Sequence, residues 1–160
     1  MALIQSVKES WTNPTIDYRY GNPTLQSCNL ASGVTVQCGQ VLAFTGNAQG
    51  QVTNQNLSSS SAIAGIAAIN SMGVGADNPM SYIQPSGDLT LRISTSVCDP
   101  SGTYAGFTQP QALYITSIGQ LTTNASNAIQ SGVPFMWMTE SGTGWIDCVF
   151  NFMGQGTMNN

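Results

Sequence analysis

The sequence predicts a mainly β protein, built as a barrel or a sandwich of short strands. Short apolar runs that alternate or contain β-branched residues recur along the chain, and Gly, Pro, Asn and Ser residues separate them. No stretch shows the apolar spacing of a persuasive amphipathic helix. A length of 160 residues, 41% of them hydrophobic, is enough for one domain with a sizeable core.

Residues 1–27 differ from the rest of the chain and predict an extended N-terminal arm. They combine four charged residues with three aromatic ones, and Pro14 and Pro23 interrupt any regular element. An ordinary N-terminal strand or loop is the alternative. Trp, Tyr and Arg are favoured anchors of protein interfaces. The candidate partner-contact residues in this arm are therefore Trp11, Tyr18, Arg19 and Tyr20.

Residues 28–153 predict the β domain. In its first half, alternating or apolar runs flanked by turn residues predict strands at 34–38, 41–45 and 51–53. Residues 62–69 fit either a helical turn or a buried strand, and the flanking glycines favour a strand.

In the second half of the domain, the clearest strand is at residues 88–95, where Leu89, Leu91 and Ile93 alternate with polar residues. Gly142 and Gly144 between two apolar runs predict a hairpin. Residues 154–160 predict a loose tail. The other strands are predicted at residues 80–83, 112–118, 121–123, 135–139 and 145–152.

A short internal echo joins the two halves. Gly50-Gln51-Val52-Thr53-Asn54 and Gly119-Gln120-Leu121-Thr122-Thr123-Asn124 share a Gly-Gln-aliphatic-Thr core, and each follows an apolar strand. Either the likeness is a chance recurrence in a Gln- and Thr-rich chain, or one strand–turn–strand unit is used twice.

The low charge favours a protein that packs permanently among neighbours. Charged residues make up 6% of the chain, where about 25% is usual. Uncharged polar side chains are buried against a partner at a lower cost than charges, provided that they are hydrogen-bonded there. The alternative is the Ser-, Thr- and Asn-rich coat of a secreted protein.

The charge pattern also argues against two classes of partner. A net charge of −4, with only Lys8, Arg19 and Arg92 positive, leaves no footprint for nucleic acid. Neither a basic amphipathic stretch nor an apolar run of membrane-spanning length is present in the sequence. The first residues lack the charged and apolar regions of a signal peptide, so we expect synthesis in the cytoplasm.

The sequence offers few groups for catalysis. Histidine is absent, which removes the usual general base and the His-containing triads. Asp77, Asp88 and Asp99 stand beside turn residues, and no cluster of acids predicts a metal site. The sequence therefore predicts a protein that is not an enzyme and has no cofactor or metal.

The four cysteines are widely spaced and lie in apolar or β-like surroundings. We expect them to be reduced, buried, small apolar residues, with a Cys28–Cys38 bridge as the alternative. The cysteines are Cys28, Cys38, Cys98 and Cys148.

Residues 112–132 read Ala-Leu-Tyr-Ile-Thr-Ser-Ile-Gly-Gln-Leu-Thr-Thr-Asn-Ala-Ser-Asn-Ala-Ile-Gln-Ser-Gly, and Trp137, Gly144-Trp145 and Val-Phe-Asn-Phe at 149–152 follow. This pattern resembles the decoration (cement) proteins of tailed-bacteriophage capsids. The resemblance implies a small β-barrel or β-tulip-like domain with an extended N-terminal arm. It also implies a virion structural protein on the capsid exterior that binds the major capsid protein, stabilises the shell and forms a homo-oligomer, a trimer or a dimer.

Two points stay open in this prediction. Met136, Trp137 and Met138 are candidates for an interface between copies, with the hydrophobic core as the alternative. The alternative function is a tail-fibre, carbohydrate-binding or other adhesion or appendage module, in which Trp11, Tyr104 and Trp145 stack on sugars.

Overall fold

The computed structural model describes residues 16–46, 50–72 and 78–151, which form two antiparallel β-sheets. The prediction of a mainly β domain is confirmed. Within these residues the strands make two separate sheets rather than a closed barrel. Two short 3-10 turns, Thr95–Val97 and Ala125–Asn127, are the helical elements of the described chain.

One sheet has six strands in the order β1-β7-β11-β10-β8-β9, and the other has five in the order β2-β6-β5-β3-β4. The strands are β1 Ile16–Tyr20, β2 Leu25–Asn29, β3 Val41–Phe44, β4 Val52–Thr53, β5 Ile63–Ala67, β6 Pro79–Ile83, β7 Thr90–Ser94, β8 Gln111–Ile115, β9 Leu121–Thr122, β10 Met136–Gly142 and β11 Trp145–Phe150.

The main core lies where the two sheets pack on each other. Alternation along β7 buries Leu91 and Ile93 there, together with Ile146 of β11, because every second side chain of a strand points to the same face. Val41 and Ile66 of the five-stranded sheet belong to the same cluster. Full burial of each such side chain stabilises the fold by about 1.5–3 kcal/mol.

A second core covers the other face of the five-stranded sheet. Leu30, Val36, Leu42, Met80 and Tyr82 are among its buried members. This sheet is therefore buried on both faces over part of its area, and the segment that follows β2 forms the cover.

The prediction of a strand at residues 34–38 is wrong, because the backbone of this segment bonds to side chains. The amide of Val36 donates to Oγ of Ser71 and that of Cys38 to Oδ1 of Asn70. Apolar alternation alone could not distinguish this covering loop from a strand.

The two sheets repeat one strand order. The five-stranded sheet has the order β2-β6-β5-β3-β4, and the six-stranded sheet, without β1, has the order β7-β11-β10-β8-β9. In both, the first strand in the chain lies beside the fifth, followed by the fourth, the second and the third. The repeated Gly-Gln-aliphatic-Thr sequence lies at corresponding turns, between β3 and β4 in one half and between β8 and β9 in the other. The amide of Thr45 donates to the carbonyl of Gln51 at the first turn, and the amide of Thr116 donates to the carbonyl of Gln120 at the second. Gly50 has a φ of +65° and Gly119 a φ of +77°, a backbone region that favours glycine.

The β body begins at Ile16, within the segment predicted to be an arm. Residues 16–20 pair with β7, and residues 25–29 pair with β6. Pro23 interrupts regular structure only in the connection between β1 and β2. Residues 1–15 and the predicted tail 154–160 lie outside the described residues.

Candidate interaction surface

The structure separates the predicted partner-contact residues. Tyr18 is 3% exposed, and Met136 and Met138 are fully buried, all three in the core between the sheets. They are not available for contact with a partner, and for the methionine pair the alternative of a core position is the correct one. Trp11 lies outside the described residues.

Three other predicted residues lie at or near the surface. Tyr20, at the end of β1, is 58% exposed, and Trp137, on the outer face of β10, is 37% exposed. Arg19 is half-buried, and its Nε has no hydrogen-bond partner among the described residues. These residues do not form one patch with the buried members of the predicted set.

Trp145 lies beside an ion pair between Arg92 and Asp147. Nε and Nη2 of Arg92 donate to the two carboxylate oxygens of Asp147 over 2.8 and 3.0 Å. The same guanidinium lies 3.5 Å from the centroid of the Trp145 ring. One face of this indole is therefore already engaged, which leaves less of it to stack on a sugar.

Asp99 is a buried carboxylate whose oxygens are all used by the fold. It accepts hydrogen bonds from the backbone and hydroxyl of Ser101, from Thr122 and from Asn127. Burial alone would raise its pKa, but these bonds together lower the pKa of Asp99 to about 2. The Tyr104 hydroxyl donates to the Asp99 carbonyl. This cluster holds a loop in place rather than offering an acid or a base.

The cysteines are free thiols, and the alternative of a Cys28–Cys38 bridge is wrong. Burial, with a smaller contribution from the nearby Asp99 charge, raises the pKa of Cys98 to about 12. Burial also raises the pKa of Cys28 and Cys148. Since the thiolate is the reactive form, these shifts lower the reactivity of the thiols at neutral pH, most strongly for the buried Cys98 and Cys148. Within the ranges that the structure describes, no group of three or more acidic or cysteine side chains could hold a metal ion.

The strands of the five-stranded sheet contain no charged residue. No Asp, Glu, Lys or Arg occurs at residues 20–76, and β6 also lacks charge; Asp77, in the connection before β6, lies outside the described residues. A second uncharged stretch, residues 100–139, contains β8 and β9 of the six-stranded sheet. The net charge does not show these two stretches, but the positions of the charged residues in the sequence do.

Large apolar side chains are exposed in both uncharged stretches. In the first, Leu25 of β2 is 51% exposed, Phe44 at the end of β3 is 42% exposed, and Met72 is 71% exposed; in the second, Ile118 is 47% exposed and Trp137 is 37% exposed. The ring of Phe44 meets that of Tyr82 edge-on, with 6.2 Å between centroids. Apolar surface without nearby charge is what a protein partner can cover at the lowest desolvation cost.

Two adjoining clefts, which we call the uncharged groove, open beside Phe44. They share Ile63 and Pro85 in their lining, and none of the described residues that line them is charged. One cleft has a volume of about 380 Å³ and is lined by Ile115, Ile129 and Phe135, with Ser58 and Ser61, among others. The other has a volume of about 400 Å³ and is lined by Gln26, Phe44, Tyr82 and Gln84 among others.

The chain matches no family model and no curated protein. In residues 16–46, 50–72 and 78–151, no helix is long and apolar enough to cross a membrane.

Proposed function

We propose that the chain is a non-enzymatic structural protein that binds and stabilises an assembled tailed-phage capsid from outside, through contacts with the major capsid protein. The contact surface is the uncharged groove, including the exposed Phe44 in its lining. The observation that carries this proposal is the absence of charged side chains from the lining of the groove, to which both uncharged stretches of the chain contribute.

Desolvation explains why such a surface suits a permanent structural contact. Each charge that enters an interface must lose its water, and the loss is recovered only if a partner of opposite charge is well placed. The Ser and Gln side chains of the groove need only a hydrogen bond in the complex. The charges that lie elsewhere in the body are largely engaged within the chain, as Arg92 is with Asp147 and Asp99 is with its donors.

Co-sedimentation with undecorated shells of the phage that encodes the chain tests the proposal. We expect the wild-type protein to sediment with the shells. Phe44→Asp places a charge at the groove, and we expect it to weaken binding at least tenfold. Thr108→Asp adds the same charge at an exposed position outside the groove lining and should bind like the wild type.

Salt provides a second readout that depends on the same argument. Contacts between uncharged surfaces are not screened, so the affinity for shells should change less than about threefold between low salt and about 0.5 M salt. Absence of co-sedimentation, or equal binding by both Asp variants, would overturn the proposal. Binding to a glycan array without binding to shells would instead support the adhesion function.

A further inference from the structure

Three of the four sheet edges are covered, charged or interrupted. The free side of β9 receives the Asp99 loop, whose backbone amide donates to the Leu121 carbonyl. The free side of β4 receives the segment after β2, where the amide of Ala31 donates to the Val52 carbonyl. β1 contains two charged residues, and a bulge interrupts its pairing with β7 after Tyr18. Such devices keep edge strands from pairing with other chains.

The fourth edge strand, β2, has no covering segment among the described residues, no charged residue and no bulge. Its five residues, Leu-Gln-Ser-Cys-Asn, contain no charge and no proline, and their register with β6 runs without interruption from Leu25↔Ile83 to Asn29↔Pro79. All five are exposed except Cys28, which is half-buried.

The hydrogen bonds at the two ends of β2 show which backbone groups point outward. The Thr24 carbonyl accepts from Gln84, and the Leu30 amide donates to Asn78. Because bonded pairs alternate in an antiparallel ladder, Gln26 and Cys28 also bond toward β6. The N–H and C=O groups of Leu25, Ser27 and Asn29 therefore face away from the sheet, and no hydrogen bond to another described residue occupies them.

We infer that β2 pairs antiparallel with β2 of a second copy of this chain, with the two-fold axis at Ser27. Ser27 then lies opposite its own equivalent, and Leu25 lies opposite Asn29 in both directions. Gln26 faces Cys28 of the second copy. The two five-stranded sheets become one continuous ten-stranded sheet.

The sequence of β2 favours a second copy as the occupant. In an antiparallel pair of identical strands, the residue on the two-fold axis faces its own copy, and every other residue faces the one at the same distance on the other side of the axis. A charge on or next to the axis would therefore lie close to the same charge of the second copy. β2 has no charge, and the groups that meet are a hydroxyl pair, an aliphatic–amide pair and an amide–thiol pair. The strand is therefore compatible with its own copy at each position.

Sedimentation velocity over a range of protein concentrations tests the inference without any shell, so its failure is distinct from failure of the proposed function. We expect the wild-type protein to dimerise reversibly. Ser27→Pro removes an outward N–H that β6 does not use, and proline is tolerated on the open side of an edge strand. It should weaken dimerisation at least tenfold, whereas Ser27→Ala keeps the N–H and should dimerise like the wild type.

Circular dichroism and thermal unfolding of the Ser27→Pro variant show whether its sheet is intact. A folded Ser27→Pro variant that dimerises as tightly as Ser27→Ala, or a wild-type protein that remains monomeric at every concentration, would overturn the inference.

Disulfide trapping tests the register independently, and it does not need the proline variant to fold. Gln26→Cys places a thiol opposite Cys28 of the second copy, in a non-hydrogen-bonded pair with Cα atoms about 4.5 Å apart. Oxidation by diamide should then give a covalent dimer. Thr24→Cys is the matched control, because its position lies opposite Leu30 of the second copy. Equal cross-linking of the two variants would exclude the proposed register.

Discussion

Asp99→Asn tests whether the buried carboxylate beside β9 stabilises the fold through its charge. The hydroxyls of Ser101 and Thr122 and the amide of Asn127 all donate to Oδ2, over 2.7 to 3.0 Å. The pKa of Asp99 falls from 3.8 to about 2 in the folded chain. At about 1.4 kcal/mol for each pKa unit, this shift corresponds to about 2 kcal/mol of stability.

The sign of the shift fixes the pH range. A pKa that is lowered on folding stabilises the native state above the unfolded pKa, and the contribution disappears as the pH falls through the folded pKa. The charge of Asp99 therefore contributes fully above about pH 5, and little of its contribution remains at about pH 2. The amide variant lacks this dependence because it does not titrate.

Urea denaturation, followed by tryptophan fluorescence at several pH values between 7 and 2, measures the effect. We expect the difference in unfolding free energy between the wild type and Asp99→Asn to shrink by about 2 kcal/mol over this range. Asp88→Asn, at an exposed carboxylate bonded to Ser86, is the matched control and should change stability by less than about 0.5 kcal/mol at pH 7. A difference for Asp99→Asn that stays constant down to pH 2 would refute the reasoning.

Three further substitutions test the packing, each by chemical denaturation at neutral pH. Gly65→Ala drives a Cβ into the backbone of β6 and should cost about 2–3 kcal/mol; a neutral result would show that β5 and β6 approach less closely at this point. Met138→Ala empties a fully buried site and should cost about 2–5 kcal/mol, against less than about 1 kcal/mol for the adjacent exposed Thr139→Ala. Similar losses in those two variants would contradict the assigned strand faces. Arg92→Leu leaves the carboxylate of Asp147 without its cation and should cost about 2–3 kcal/mol, part of which the double variant with Asp147→Leu should recover.

Most strands could be predicted from local patterns, because their side chains meet two different environments. β7 follows strict alternation, and its inward residues are the ones that the sequence indicates. The flanking glycines correctly favour a strand for β5, and Gly65 is required there by the close approach of β6. Residues 34–38 show the same alternation, but side chains of Ser71 and Asn70 take up backbone groups that a strand partner would need.

The candidate surface depends on contacts that local patterns do not contain. Alternation separates Trp137 from Met136 and Met138, but it does not say which side faces the core. The open edge of β2 follows from pairing with β6, which lies more than fifty residues away in the chain. The absence of charge from residues 20–76, in contrast, was readable in the sequence.

The strand order has a consequence for the nascent chain. The strands β2 to β6 lie between residues 25 and 83, so all members of the five-stranded sheet have been synthesised before β7. β1 is translated before β2 to β6, yet its strand partner is β7, so its backbone has no strand to pair with until residues 90–94 emerge. We therefore expect vectorial folding in which the five-stranded sheet forms first and β1 docks late, with its apolar residues exposed to chaperones in the interval.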